Sequence, residues 1–420
     1  MIDIKFIREH KDLVQKNCEN RNVKVNLDEL LSADEERKGI LKELEDLRAT
    51  RNQKSKGKPS PEEIVAMRSV GEKIKQLEEN LETVSTALQT QLLRVPNMTH
   101  PKAPIGGEDD FVVMYTNKEA EKKSFIPKDH EQILTDLGLV DFERGAKVAG
   151  AKFYFTKNDM VRLNLALIQY GIDVVTKHGF ELLETPDVAK NDILSGIGFN
   201  PRGDETQVYS IEHTDLSLIG TAEITVGGYH SDEILDLSKG PKKYVALSHC
   251  YRTEAGAYGR TSKGLYRVHQ FTKLEMFIYC KPEDSEQMHE ELLNIEKEIV
   301  DGLGIPYRVI DIASGDLGGP AYRKYDIEAW MVMKGDGKKT HGDYGEITST
   351  SNCTDYQARR LNIKYRKEDG DTDFVHTLNG TAVVLSRFPI AIIENYQQED
   401  GSIRIPEVLR PYMGGKETIR

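Results

Sequence analysis

Cysteine is scarce in this chain and nowhere paired at short range. Its four cysteines, Cys18, Cys250, Cys280 and Cys353, show no C-x-x-C spacing among 420 residues. Neither a zinc site nor a disulfide framework is indicated, and reduced thiols in a cytosolic protein are the plain inference. Long apolar runs are missing too, so no segment reads as a membrane span. Met1 to Asn20 carries charge throughout and has no apolar signal-peptide core, so a soluble, cytoplasmic protein is expected. An excess of positive charge is also absent. The formal net charge of −12 argues against a protein that coats nucleic acid unselectively. It leaves room for a selective partner held by local basic patches. There is no G-x-x-x-x-G-K-[ST] loop and no G-x-G-x-x-G after a strand, so neither the P-loop nor the Rossmann architecture is supported.

What is present divides in two, as the length favours. Residues 1–100 read as helical. Asp3 to Cys18 predicts one short amphipathic helix with Phe6, Ile7, Leu13 and Val14 as its apolar positions. Asn26 to Gln53 and Pro61 to Leu93 predict two long helices. In the second, Met67, Val70, Ile74, Leu77, Leu81, Val84 and Leu88 step by three and four, which is a coiled-coil seam. Ile40, Leu44 and Leu47 match it more briefly in the first. The turn from Lys54 to Pro61 holds glycine and prolines that end one helix and start the next, so the pair must fold back antiparallel as an arm. Arg48, Arg51, Lys54, Lys56 and Lys58 gather toward its tip. A dimerisation coil and a lever for a nucleic-acid backbone both fit that pattern.

Pro96 to Gly107 reads as a linker, and residues 101–420 alternate strands with helices. Asp159 to Lys177 predicts a helix with apolar Val161, Leu165, Ile168, Ile172 and Val175, capped at Gly179 before a strand. Val208–Ile211, Lys243–Ser248, Leu265–Tyr279 and Tyr307–Ile312 look β-rich. An α+β class, with an antiparallel sheet flanked by helices, fits best. The most informative stretch is Cys250 to Phe277, which predicts strand, basic loop (with Arg260 and Lys263) and strand. Arg252 can grip a phosphate with two parallel hydrogen bonds, and Phe271 offers a flat face to a base. Lys273 and Glu275 return on the far side, and Glu275 can hold an ammonium or a hydroxyl. Thr221 and Glu223 bring a hydroxyl and a carboxylate to a chain reversal, where Thr221 also suits a helix cap. Glu346 and Ser349 suit Mg²⁺ beside phosphate oxygens. Asn379 and Thr381 can bond a small polar ligand, and Arg387 opens a helix whose N-terminus favours anions.

In this order, MIDIKFIRE, RNQKSKGK, DFERGAKV, TAE, YRTEAG, RVHQF, KYDIEAWM, SNCTDYQARR, HTLNGT and IPEVLRPYM closely resemble the seryl-tRNA synthetases of bacterial type, a class II aminoacyl-tRNA synthetase family. The resemblance runs nearly end to end. It implies an N-terminal tRNA-binding domain with a coiled-coil arm, a class II catalytic domain, and ATP-dependent ligation of L-serine to serine tRNA through seryl-adenylate. Selenocysteine tRNA is an implied second substrate. Arg252 and Arg387 would be catalytic. ATP would meet Arg252, Thr253, Glu254, Val268, Phe271, Glu346, Ile347, Thr348, Ser349 and Arg387, with Mg²⁺ on Glu346 and Ser349. Thr221, Ala222, Glu223, Arg252, Glu275, Asn379 and Thr381 would surround serine. His178 to Pro186 resembles the first class II motif, with Pro186 at the centre of a homodimer interface. Arg48, Arg51, Lys54, Lys56 and Lys58 would reach the tRNA.

Two details depart from the family pattern. Leu385 and Ser386 precede Arg387 where glycine or proline is frequent, and the insert Lys334 to Gly342 has no assigned contact. The lack of a cysteine constellation sets the chain apart from the zinc-using methanogen branch. Relatives that load a carrier protein lack the long arm, and a decayed, non-catalytic descendant would have lost Arg252, Arg387 or Glu346.

Overall fold

The computed structural model describes residues 1–54, 60–199, 207–254, 264–334 and 342–420, the side chains of residues 54 and 61–64 apart. Lys56, Lys58, Arg260, Lys263, most of the insert and the side chain of Lys54 therefore lie outside the described residues. The chain forms two compact units, Met1–Met98 and Thr99–Arg420.

In the first unit the two long helices span Leu27–Lys54 and Pro61–Arg94. The apolar seam is consumed between them: Ile40, Leu44 and Ile74 are buried together, with Leu47, Val70, Leu77, Leu81 and Val84 packed around. A seam closed by its own hairpin is not free to zip a second copy. The expected single N-terminal helix is two, Ile4–Glu9 and Lys11–Asn20, broken where His10 leaves helical geometry at φ −131°. The break puts Ile7 and Val14 inside and leaves Leu13 exposed.

The second unit is built on an eight-stranded sheet. In chain order its strands are β1 (Val112–Thr116), β2 (Glu181–Glu184), β3 (Lys242–Tyr251), β4 (Gln270–Cys280), β5 (Tyr307–Asp311), β6 (Arg323–Met331), β7 (Asp343–Thr354) and β8 (His376–Val384). Across the sheet the order is β1-β5-β6-β7-β8-β4-β3-β2. Only the edge pair β2–β3 is parallel. Side chains alternate faces along β4. Leu274, Met276 and Ile278 enter the core that includes Leu163 and Leu167 of the helix Asp159–Lys177 and Leu292 and Ile299 of the helix Ser285–Leu303. Phe277 and Tyr279 enter a second core with Ala222, Ile224 and Leu361.

Several local expectations are corrected. Val208–Ile211 is no strand; only Ser210 bridges to Ser217, and the strand there is Leu216–Leu218. Residues 265–269 precede β4 rather than belong to it. Val161 and Leu165 are not on the buried side of their helix, which presents Met160, Leu163, Leu167, Val174 and Val175 to the core instead. The expected linker is partly bound: the Gly106 N–H donates to Ser314 Oγ at 3.3 Å, and the Ser314 N–H to the Pro104 carbonyl at 2.8 Å.

Candidate active site

Two β-bulges shape this face of the sheet. Between β6 and β7 the register runs Ile327↔Thr348 and then Glu328↔Glu346, so Ile347 is the extra residue. Without it Glu346 would alternate to the other side from Ser349 and Ser351; the bulge re-aims it to the same side. Between β8 and β4, Thr381 stands opposite Glu275 and Val383 opposite Leu274. The Thr381 hydroxyl donates across that pair to Glu275 Oε2 at 3.3 Å.

Two adjoining cavities result, sharing Arg252, Lys273, Glu346 and Thr381 as common wall. The first adds Glu254, Val268, Phe271, Ile347, Thr348 and Arg387; the second adds Thr221, Glu223, Glu275, Ser349 and Asn379. Both arginines therefore face one space. Arg252 is braced by its Nε–H on the Gly220 carbonyl at 3.2 Å, and its guanidinium lies 5.4 Å from the Phe271 ring centroid. Arg387 lies 3.5 Å over the Tyr266 ring and donates to the Glu346 carbonyl at 3.4 Å. Two of the expected contacts are not on these walls: Ala222 is buried in the core beneath, and the Thr253 N–H donates to the Gln207 carbonyl at 3.2 Å.

Charge in the second cavity is finely divided. Thr221 caps the helix Ala222–Gly228 by accepting from the Glu223 N–H at 3.2 Å, so the capping and the lining roles coincide in one residue. Glu223 Oε1 accepts from Gln357 Nε2 at 2.8 Å and from Asn379 Nδ2 at 3.0 Å. Burial pushes this carboxyl up to about 7, and the Glu275 charge adds to the rise, against the Gln357 hydrogen bond and the charges of Lys273 and Arg252. Glu275 is held by Lys273 at 2.7 Å. Burial would raise Glu346 as well, but Lys324, Arg387, Arg252 and Lys273 outweigh it and hold the group ionised. Its buried neighbour Asp326 is shifted upward by desolvation and by Glu346 itself, despite Lys324.

Sequence reasoning missed Lys324, Tyr266 and Gln357. None stands in a spacing that signals chemistry. Lys273 had such a signal, two positions from Phe271 and from Glu275 on one strand.

Residues 1–99 match the seryl-tRNA synthetase N-terminal domain, and residues 207–396 the tRNA synthetase class II core domain (G, H, P, S and T). The serine–tRNA ligase of Treponema denticola is 53% identical, with 99% of each chain covered. The chain belongs to the seryl-tRNA synthetases. The crystal structure of seryl-tRNA synthetase from Pyrococcus horikoshii complexed with ATP superposes with a TM-score of 0.90 at 38% identity, covering 100% of this chain and 99% of that one. The cytoplasmic serine–tRNA ligase of Naegleria fowleri in complex with AMP gives 0.86 at 32% identity, with the same coverage. The class II sheet and the helical hairpin thus recur in this family's solved structures.

Proposed function

We propose that this enzyme activates L-serine with ATP and transfers the seryl group to the 3′-terminal hydroxyl of serine tRNA. The observation that carries this reading is the shared wall, where Arg252, Lys273, Glu346 and Thr381 join a cavity holding Arg387 to one holding Glu223 and Glu275. The nucleotides named in the two crystal relatives support a nucleotide in the first cavity. There Phe271 and Val268 take adenine with Glu254 at its edge, Arg252 takes the α-phosphate, and Arg387 the γ-phosphate. Serine sits in the second cavity, its ammonium on Glu223 and Glu275 and its hydroxyl near Thr381. The serine carboxylate attacks the α-phosphorus as the bond to pyrophosphate breaks. No side chain forms a covalent bond; positioning and fixed positive charge carry the step.

The donor set fits Mg²⁺. Glu346 offers an ionised carboxylate and Ser349 a hydroxyl, both hard oxygens. Two protein oxygens leave the other positions of an octahedral ion to phosphate and water. Such an ion supplies charge neutralisation on the triphosphate.

Serine binding should depend on pH. Glu223, raised to about 7, must be ionised to hold an ammonium. kcat/KM for serine should therefore fall about tenfold per unit as pH drops below that value, with KM for ATP unchanged. Glu223→Gln should abolish the step along with most of the activity; a step that survives the substitution would assign it elsewhere.

The dimer reading is supported by exposed apolar side chains on the helix Asp159–Lys177 and on β2, Val161, Leu165 and Leu182 at 39%, 66% and 46%, with Pro186 exposed two residues past the end of β2. Sedimentation of a Leu165→Arg variant as a monomer would support it, and an unchanged dimer would refute it. No described helix is long and apolar enough to cross a membrane. An amino-acid panel in ATP–pyrophosphate exchange, followed by charging of purified serine and selenocysteine tRNAs, tests the whole assignment. Exchange without preference for serine would overturn it, and failure with selenocysteine tRNA alone would remove only that substrate.

A further inference from the structure

His130 and Glu394 line neither of the two active-site cavities and are almost wholly buried. The Leu265 N–H donates to His130 Nε2 at 3.0 Å, so that nitrogen carries no proton and Nδ1–H donates to Glu394 Oε1 at 2.9 Å. The His130 backbone N–H donates to the same oxygen at 2.9 Å, and the Met333 N–H to Glu394 Oε2 at 3.1 Å. Glu394 stands on the helix Phe388–Tyr396, whose N-cap is Arg387. Leu265 is followed by Tyr266, the ring on which Arg387 lies. The pair thus ties the helix that presents Arg387 to the segment that presents its stacking partner. Gly264 shows how close the fit is. Its φ is +59°, and a Cβ there would fall 2.2 Å from His130 Nε2.

We propose that His130 and Glu394 are positioning residues that fix Arg387 against Tyr266 for the ATP phosphates. This rests on Arg387 serving ATP, as read above. A buried, fully bonded pair of this kind holds a site on rigid elements, and a displacement of about 1 Å can cost roughly 100-fold in rate. The test is serine-dependent ATP–pyrophosphate exchange by wild type, His130→Leu, Gly264→Ala and Arg387→Ala, with circular dichroism of each. His130→Leu and Gly264→Ala should each raise KM for ATP by about tenfold or more and leave KM for serine within about twofold. A general loosening of the whole site would instead raise both together, and that result overturns the proposal, as does an unchanged KM for ATP. Should His130→Leu fail to fold, Gly264→Ala decides by the same criteria. If Arg387→Ala leaves KM for ATP unchanged, the reading of the site falls. If it raises KM and the other two do not, the positioning role alone falls.

Discussion

Arg252→Ala is expected to slow serine-dependent ATP–pyrophosphate exchange by about two to three orders of magnitude, the roughly 2.7–4 kcal/mol lost when one preorganised charge-stabilising donor is removed. Position and environment both support so large an effect. The side chain is half-buried, braced on the Gly220 carbonyl and laid over Phe271, so little reorganisation remains when charge builds on the phosphate. Arg252 also offsets charge on Glu223 and Glu346. Its loss should therefore raise Glu223 further and push serine binding toward higher pH. Arg252→Lys should also be impaired, because a point charge cannot reproduce a planar fork. Wild-type exchange rates in Arg252→Ala would remove this residue from the chemistry.

The outline of this site was legible because its parts are short-range. Arg252 and Glu254 follow directly on the end of one strand, Lys273 and Glu275 sit on the next, and the β3–β4 pairing of Cys250 with Phe271 brings them together. The two long helices were legible for a similar reason, since a seam of Val70, Ile74, Leu77 and Leu81 states its own period. The bulge at Ile347 was not. It depends on how β7 pairs with β6, and a one-residue slip in register leaves no mark on composition. The bonds from His130 to Glu394, 264 positions apart, were equally invisible, as was the helix break at His10. Val161 and Leu165 show the limit of periodicity. An apolar stripe announces burial without saying in what, and here the described chain leaves these two side chains in solvent.

Deleting Arg48 to Met67 and closing the hairpin should leave adenylate formation within about twofold of wild type while tRNA charging falls about 100-fold or more. Two charge-assisted hydrogen bonds of about 1.5–3 kcal/mol each already amount to that. The deletion spares the buried cluster of Ile40, Leu44 and Ile74, so the remaining hairpin keeps its core. It removes Arg48, which pairs with Glu78 at 2.7 Å, and exposed Arg51. The apolar seam is closed within one chain, which leaves it no free face for a second copy, and we propose its basic end for the tRNA backbone. Binding to phosphates releases counterions, so wild-type charging should weaken steeply with salt. The shortened enzyme should respond less, its logarithmic slope shallower by about 0.9 for every phosphate it no longer neutralises. Parallel loss of exchange and charging would make the arm a brace for the fold, and an unchanged salt slope would place the tRNA-binding surface elsewhere.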